Sequence, residues 1–231
     1  MKTFIYRLFH FFLGWFFRLI FFIVPHGRKN EPKISDGPYA VCSNHMNAVD
    51  PIVICDVLRH QQPRYMAKKE LFSKPVLGKV IKMLGAFPVD RSGRDAGALI
   101  RSVRMIENGC SIGVFPQGTR RPGIHPSKTE PRAGIGVICE HSHVTVLPVF
   151  LKTRGYRMKF LRPVHVYVGK PISYDEYTEK GRYANDYRHI GRYIFSAICS
   201  LDPDYAPDED KVFEEEAETT GAEKQEQTSA E

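Results

Sequence analysis

The chain has 231 residues, of which 42% are hydrophobic and 26% are charged, and this composition excludes a wholly disordered protein and favours one packed domain with short appendages. The net charge of +7 is uneven: residues 202–231 contain 12 acidic and 2 basic side chains, which leaves 31 basic and 14 acidic ones in residues 1–201. Such a basic body favours anionic partners such as lipid headgroups, phosphorylated small molecules or nucleic acid.

The five scattered cysteines never show C-x-x-C spacing, which argues against a disulfide framework or a zinc site and favours a reducing cytosolic location.

The most apolar segment spans residues 4–24 and is rich in phenylalanine. Its polar positions Arg7, His10, Gly14 and Arg18 follow one another at intervals of 3, 4 and 4 residues, so on a helix they form one narrow stripe. An arginine at mid-bilayer costs about 2.5–3.5 kcal/mol, whereas a helix in the interface keeps its arginines at the headgroups. We therefore expect an amphipathic membrane-interface helix within residues 1–30. A transmembrane span and a buried core helix remain open.

Short apolar strands alternate with helical stretches between residues 31 and 201, which predicts an α/β fold with a largely parallel central sheet flanked by helices. Pro148 inside one apolar run predicts an edge strand or a distortion. Residues 202–231 lack apolar periodicity and predict a disordered acidic tail. The predicted strands are 38–43, 64–68, 86–89, 111–115, 144–151 and 164–168, and the predicted helices lie near 51–60, 69–84, 94–108, 132–142 and 183–200.

His45 and Asp50 directly follow the first predicted strand, in the stretch VCSNHMNAVDP. Residues five apart do not meet on a continuous helix, so His45 is expected in the turn, with Asp50 as the N-cap and Pro51 at the first helical position. The pair can act as a general base held by a carboxylate, or Asp50 can simply cap the helix beside a surface histidine. The sequence contains no G-x-S-x-G elbow, which disfavours an acyl-enzyme hydrolase. It also lacks H-E-x-x-H spacing, and no metal site is predicted.

Arginines follow two further predicted strands. Arg91 ends GAFPVDR, and Arg120 lies in the loop of SIGVFPQGTRR, where Gly118 lets backbone amides approach an anion. In parallel sheets the sites gather at the carboxyl ends of the strands. We therefore expect the histidine, the carboxylate and the arginines to meet, although Arg91 taken alone is also compatible with a strand-end salt bridge to Asp90 or Asp95.

Four ordered blocks resemble those of the lysophosphatidic acid acyltransferases, the 1-acyl-glycerol-3-phosphate O-acyltransferases of the glycerolipid acyltransferase superfamily. Residues 44–50 match N-H-x-x-x-x-D, residues 85–91 match a block that ends in aspartate-arginine, and residues 115–120 match F-P-E-G-T-R, with Gln117 where the family usually has glutamate. The fourth block is the apolar strand around Pro148. The resemblance extends over about residues 38 to 170.

This resemblance implies acyl transfer from a thioester of coenzyme A or acyl carrier protein to the sn-2 hydroxyl of 1-acyl-glycerol-3-phosphate, at the cytoplasmic face of the cell membrane. His45 would act as the general base and Asp50 would orient it, without a covalent intermediate or a cofactor. Two alternatives remain open: a different lysophospholipid acceptor, because of Gln117, and a non-catalytic phospholipid-binding protein. Nucleic acid does not fit the aromatic N-terminal segment. The residues that the resemblance assigns to acceptor binding are Asn44, Arg91, Gln117, Gly118, Thr119 and Arg120.

Overall fold

The computed structural model describes residues 18–89 and 96–205, which form a seven-stranded sheet with flanking helices. The strands are β1 (Ile23–His26), β2 (Tyr39–Ser43), β3 (Arg64–Lys68), β4 (Phe87–Val89), β5 (Ile112–Val114), β6 (Thr145–Lys152) and β7 (Val164–Val168). Their spatial order is β1-β7-β6-β2-β5-β3-β4. All neighbours pair in parallel except β6 with β7. The predicted α/β fold with a largely parallel central sheet is therefore confirmed.

This topology gives the sheet one edge that collects many loops. The carboxyl ends of β2, β3, β4, β5 and β6 lie there, and because β7 and β1 run the opposite way, their amino ends lie there too. The chain therefore passes this edge when it enters β1, in the connection from β6 to β7, and after β2 and β5. We call this side of the sheet the carboxyl edge.

Helices cover the sheet on both faces. They are α1 (Asp50–Val57), α2 (Pro75–Met83), α3 (Ala96–Glu107), α4 (Gly134–Ser142), α5 (Tyr174–Tyr177) and α6 (Tyr187–Cys199). Successive residues of a strand point to opposite faces, so Ala40 and Cys42 of β2 pack beneath α4 and α6, while Tyr39 and Val41 pack beneath α1. All five residues of β2 are buried, as expected for a parallel strand covered on both faces.

A glycine allows the two helices on one face to touch. Gly136 lies in α4, and a Cβ atom at this position would stand 1.9 Å from the main-chain oxygen of Tyr187 at the start of α6. Any side chain here would therefore push the two helices apart.

Pro148 lies in β6, which is an interior strand, so the predicted edge position is wrong. Pro148 is in register with Cys42 of β2, and its carbonyl oxygen accepts a hydrogen bond of 2.9 Å from the N–H of Gly169. Gly169 comes directly after the last residue of β7. Proline has no N–H group, and here this donor is absent only at the end of the β6–β7 pairing. An interior strand therefore tolerates the proline at this position.

The structure differs from the predicted boundaries at both ends of the domain. Residues 23–26, which were assigned to the membrane-associating segment 1–30, form the edge strand β1, and an edge strand is the kind of strand that tolerates a proline such as Pro25. Asp202, assigned to the tail, is buried and accepts hydrogen bonds from Lys152 and Tyr156. Most of the predicted N-terminal helix and the tail beyond residue 205 lie outside the described residues. Within residues 18–89 and 96–205, no helix is long and apolar enough to cross a bilayer.

Candidate active site

His45 and Asp50 are in contact at the carboxyl edge, directly after β2. The Nδ1 atom of His45 lies 2.8 Å from Oδ2 of Asp50, and since a carboxylate only accepts, Nδ1 carries the proton and donates it. Asp50 is fully buried, and the side chain of His45 is 12% exposed. Because Nδ1 faces Asp50, Nε2 is the ring nitrogen that remains for another partner.

The carboxylate of Asp50 also holds the turn that carries the histidine. Its Oδ2 atom accepts hydrogen bonds from the main-chain N–H groups of Met46 (2.6 Å) and Asn47 (2.8 Å). The predicted N-cap role is wrong: Asp50 is the first residue of α1, the N-cap is Val49, and Pro51 occupies the second helical position. The carboxylate points back into the turn because its three donors precede the helix. A single side chain thereby orients the imidazole and the backbone beneath it.

An aromatic ring supports the imidazole. The ring of Phe115, the residue after β5, stacks on His45 with centroids 4.0 Å apart and an interplanar angle of 12°. Tyr65 of β3 stacks on Phe115 from farther away, at 5.5 Å. The imidazole is therefore fixed by a hydrogen bond at Nδ1 and by packing on its face. In the sequence, Phe115 stood out only as the first residue of the block that resembles F-P-E-G-T-R.

Gln117 joins three segments of the chain. Its Oε1 atom accepts a hydrogen bond of 2.8 Å from the main-chain N–H of His45, and its Nε2 donates one of 2.9 Å to the hydroxyl oxygen of Thr129. Thr129 in turn donates to the carbonyl of Pro126. The amide of Gln117 is 4% exposed, so both of its polar ends are bonded to protein groups. Its assignment to acceptor binding stays a prediction, and no sequence signal pointed to Thr129.

Asn44 has a similar structural function. Its side-chain amide forms two hydrogen bonds with the main chain of Leu151, donating from Nδ2 (3.0 Å) and accepting at Oδ1 (2.8 Å). It is buried and ties the end of β2 to β6. Its predicted contact with the acceptor likewise stays a prediction, since the structure describes a fold-holding contact.

The loop that begins at Gly118 brings exposed cations to the histidine. Gly118 has a φ of +67° and ends a turn whose N–H donates to Phe115, and the side chain of Arg132 lies where a Cβ of Gly118 would stand. Thr119 and Arg120 follow and are exposed. The N–H of Arg121 then donates to the carbonyl of His45 at 2.8 Å. The structure thus brings together the histidine turn and the Gly118–Arg121 loop, whereas Arg91 lies outside the described residues.

Comparisons with known proteins show which sequences this chain resembles. A model of the acyltransferase family, described as "Acyltransferase", matches residues 22–152. The chain is 33% identical over 95 residues to the 1-acyl-sn-glycerol-3-phosphate acyltransferase of Bacillus subtilis, covering 41% of this chain and 47% of that protein. It is 30% identical over 123 residues to the enzyme of the same name from Streptococcus pneumoniae, covering 52% and 44%. The chain thus spans less than half the length of these two curated relatives.

A solved structure shares the fold. It is the crystal structure of the 1-acyl-sn-glycerophosphate acyltransferase PlsC from Thermotoga maritima, with a TM-score of 0.57, 22% identity, and coverage of 80% of this chain and 73% of that one. At this identity the likeness speaks for the fold alone. The family match covers more than half of the chain and includes His45, Asp50 and the Gly118–Arg121 loop. The chain therefore belongs to the acyltransferase family, as the resemblance of its four sequence blocks implied.

Proposed function

We propose that this protein transfers a fatty acyl group from a thioester of coenzyme A or acyl carrier protein to the sn-2 hydroxyl of 1-acyl-glycerol-3-phosphate. The observation that carries the proposal is the 2.8 Å contact between His45 Nδ1 and Asp50 Oδ2 beside an arginine-bearing loop. The names of the relatives in Bacillus subtilis and Streptococcus pneumoniae support the same acceptor. The product would be a phosphatidic acid for phospholipid synthesis.

In this mechanism His45 is the general base. Its Nε2 removes the proton of the acceptor hydroxyl as the oxygen attacks the thioester carbonyl. The carbon–sulfur bond then breaks, and the imidazolium returns the proton to the departing thiolate. Asp50 stabilises the imidazolium through the bond to Nδ1. The steps use side chains of this chain alone, without a covalent intermediate, a metal ion or a cofactor.

The acceptor phosphate would bind at the Gly118–Arg121 loop. A guanidinium group suits phosphate because its N–H groups can form paired, charge-assisted hydrogen bonds, and Arg120 is exposed in this loop. Gly118 and Thr119 would add backbone and hydroxyl donors, and Arg91 would add a second guanidinium. Because the amide of Gln117 bonds His45 and Thr129, we infer that it acts on the acceptor through the position of the histidine.

The substrates place the protein at a membrane. Both acceptor and product are lipids, residues 4–24 are strongly apolar, and residues 1–201 carry a net positive charge. We propose that the N-terminal segment and this basic body hold the protein on the anionic cytoplasmic face of the cell membrane.

The test is an acyl-transfer assay with the purified full-length chain. A panel of lysolipids is incubated with acyl-CoA or acyl carrier protein thioesters, and products are identified by mass spectrometry while free thiol is measured. His45→Ala should abolish thiol release, and His141→Ala is the matched control, because His141 is an exposed histidine of α4. Unchanged thiol release from His45→Ala would contradict the mechanism. Lipid binding without turnover by the wild-type protein would instead favour the non-catalytic alternative.

A further inference from the structure

Three segments of the chain at the carboxyl edge form one surface beside the histidine. They are residues 18–22, which lead into β1, residues 119–124, which follow β5, and residues 154–162, which connect β6 to β7. The reversed direction of β1 and β7 brings the first and last of these segments to this edge. We call the surface formed by these three segments the rim.

Hydrogen bonds show that the rim is continuous. The N–H of Leu161 donates to the carbonyl of Ile20 at 2.8 Å, and the N–H of Gly123 donates to the carbonyl of Tyr156, also at 2.8 Å. The rim adjoins the candidate active site, since the N–H of Arg121 donates to the carbonyl of His45. Residues 18–22, 119–124 and 154–162 therefore share one side of the molecule with the catalytic histidine.

The rim concentrates exposed apolar side chains. Ten large hydrophobic side chains are exposed in the described part of the chain, and five of them belong to the rim, although it comprises few residues. Phe160 is the most exposed of these five, at 68%, and its neighbour Leu161 is 58% exposed. Single exposed hydrophobics need no explanation, but a cluster marks an interaction surface. The other three members are Leu19, Phe22 and Ile124.

All charged side chains of the same segments are cationic, and one of them, Arg18, is paired with Asp56 of α1. Their sequences, RLIFF, TRRPGI and RGYRMKFLR, contain seven arginines and lysines and no aspartate or glutamate. Arg154, Arg157 and Lys159 are exposed and flank the apolar tip at Phe160. Aromatic and aliphatic side chains among arginines and lysines are the combination that binds anionic lipid interfaces, where the rings enter the acyl boundary and the cations contact the phosphates.

We propose that the rim is a bilayer-docking surface that inserts Phe160 and Leu161 into an anionic membrane and thereby holds His45 at the lipid interface. This inference deepens the proposed function and rests on it. The point at which the N-terminal segment is attached also favours a membrane. The apolar residues 1–17 directly precede residue 18 in the chain, and residue 18 belongs to the rim. An acidic protein would satisfy the cations but would leave the exposed Phe160–Leu161 tip without an apolar partner.

The position of the tip can be measured by tryptophan fluorescence in the full-length chain. Trp15 is the single tryptophan, so a Trp15→Phe background receives either Phe160→Trp or, as a matched control, Ile34→Trp. Ile34 is 74% exposed and precedes β2 at the opposite edge of the sheet. With phosphatidylcholine vesicles containing phosphatidylglycerol and brominated acyl chains, Phe160→Trp should shift to shorter wavelength and be quenched, while Ile34→Trp should do neither.

A second measurement tests the contribution of the tip. Phe160→Ser should weaken partitioning onto these vesicles about tenfold, because the variant loses the burial of the phenyl ring in the acyl region, whereas Ile34→Ser should not change it. An unshifted Phe160→Trp spectrum, or one that responds to an acidic carrier protein but not to vesicles, would overturn the proposal. Neither measurement needs turnover, so quenching without acyl transfer would refute the proposed reaction and keep the docking surface.

Discussion

Replacing Gln117 by methionine tests whether its amide positions His45, the proposed general base. Methionine has a similar shape and length but removes both hydrogen bonds, the one from the N–H of His45 and the one to Thr129. Thr129 keeps its own bond to Pro126, whereas the His45 N–H loses its acceptor in a site where Gln117 is only 4% exposed. An unpaired buried donor costs about 1–3 kcal/mol, so Gln117→Met should lower the free energy of unfolding by that amount.

The effect on turnover should exceed the effect on folding. The N–H of His45 belongs to the turn that aims the imidazole, and a displacement of about 1 Å in a reacting group can cost about 100-fold in rate. We therefore expect acyl transfer to fall by about 10- to 100-fold in Gln117→Met. Gln117→Glu should retain much more activity, because a carboxylate oxygen can still accept from His45. The family resemblance, with glutamate at this position, points the same way.

The assay combines urea unfolding, acyl transfer and hydrogen exchange of the peptide containing residues 44–47. Gln61→Met is the control, since the amide of Gln61 likewise bonds the main chain, by donating to the carbonyl of Gly37, but at the opposite edge of the sheet. It should lose stability and keep its turnover per folded molecule. The positioning argument would be refuted if Gln117→Met showed the same hydrogen exchange and turnover as the wild type. It would also be refuted if Gln117→Glu lost as much activity as Gln117→Met.

Three further outcomes can be measured directly. Asp50→Asn should lower acyl transfer by about 10²–10⁴-fold with His45 still present, measured as thiol release; a milder loss would mean that the carboxylate serves the turn alone. In the folded protein a thiol reagent at pH 8 should modify Cys110 alone, because burial raises the pKa of the other four thiols and keeps them protonated; intact mass showing a second native adduct would contradict this. Gly136→Ala should lower the unfolding free energy by about 1–3 kcal/mol, because the new methyl group would meet a carbonyl of α6. Gly134→Ala, with only an ordinary 3.4 Å contact, is the control in thermal melts.

The strands and helices of the core were predictable because each has a local signature. The apolar runs at 38–43 and 164–168 contain β2 and β7, and the predicted helix near 183–200 contains α6. Strand β1 escaped prediction because its first two residues, Ile23 and Val24, belong to the apolar segment 4–24, for which a helix is predicted. The strand order and the reversal of β7 also escaped, since they depend on which runs pack side by side.

The candidate site was predictable in its chemistry and less so in its contacts. Five-residue spacing after a strand indicated that His45 and Asp50 can meet, and they do. The aim of the Asp50 carboxylate into the preceding turn was not predicted, because an aspartate beside a proline at a helix start usually serves as a cap. The structural function of Gln117 was hidden as well, because its partner His45 is 72 residues away.

The sequence by itself determined the fold class, the candidate reactive groups and their place after particular strands, because periodicity and turn chemistry act over a few neighbouring residues. Only the tertiary structure decided that Asn44 is bonded to Leu151, that Phe115 stacks on the imidazole, and that the segments before β1 and after β6 meet beside the histidine. These contacts join residues far apart in the chain. They exist because strand pairing brings these residues together, where the buried amide of Asn44 gains hydrogen-bond partners and the rings gain packing contacts.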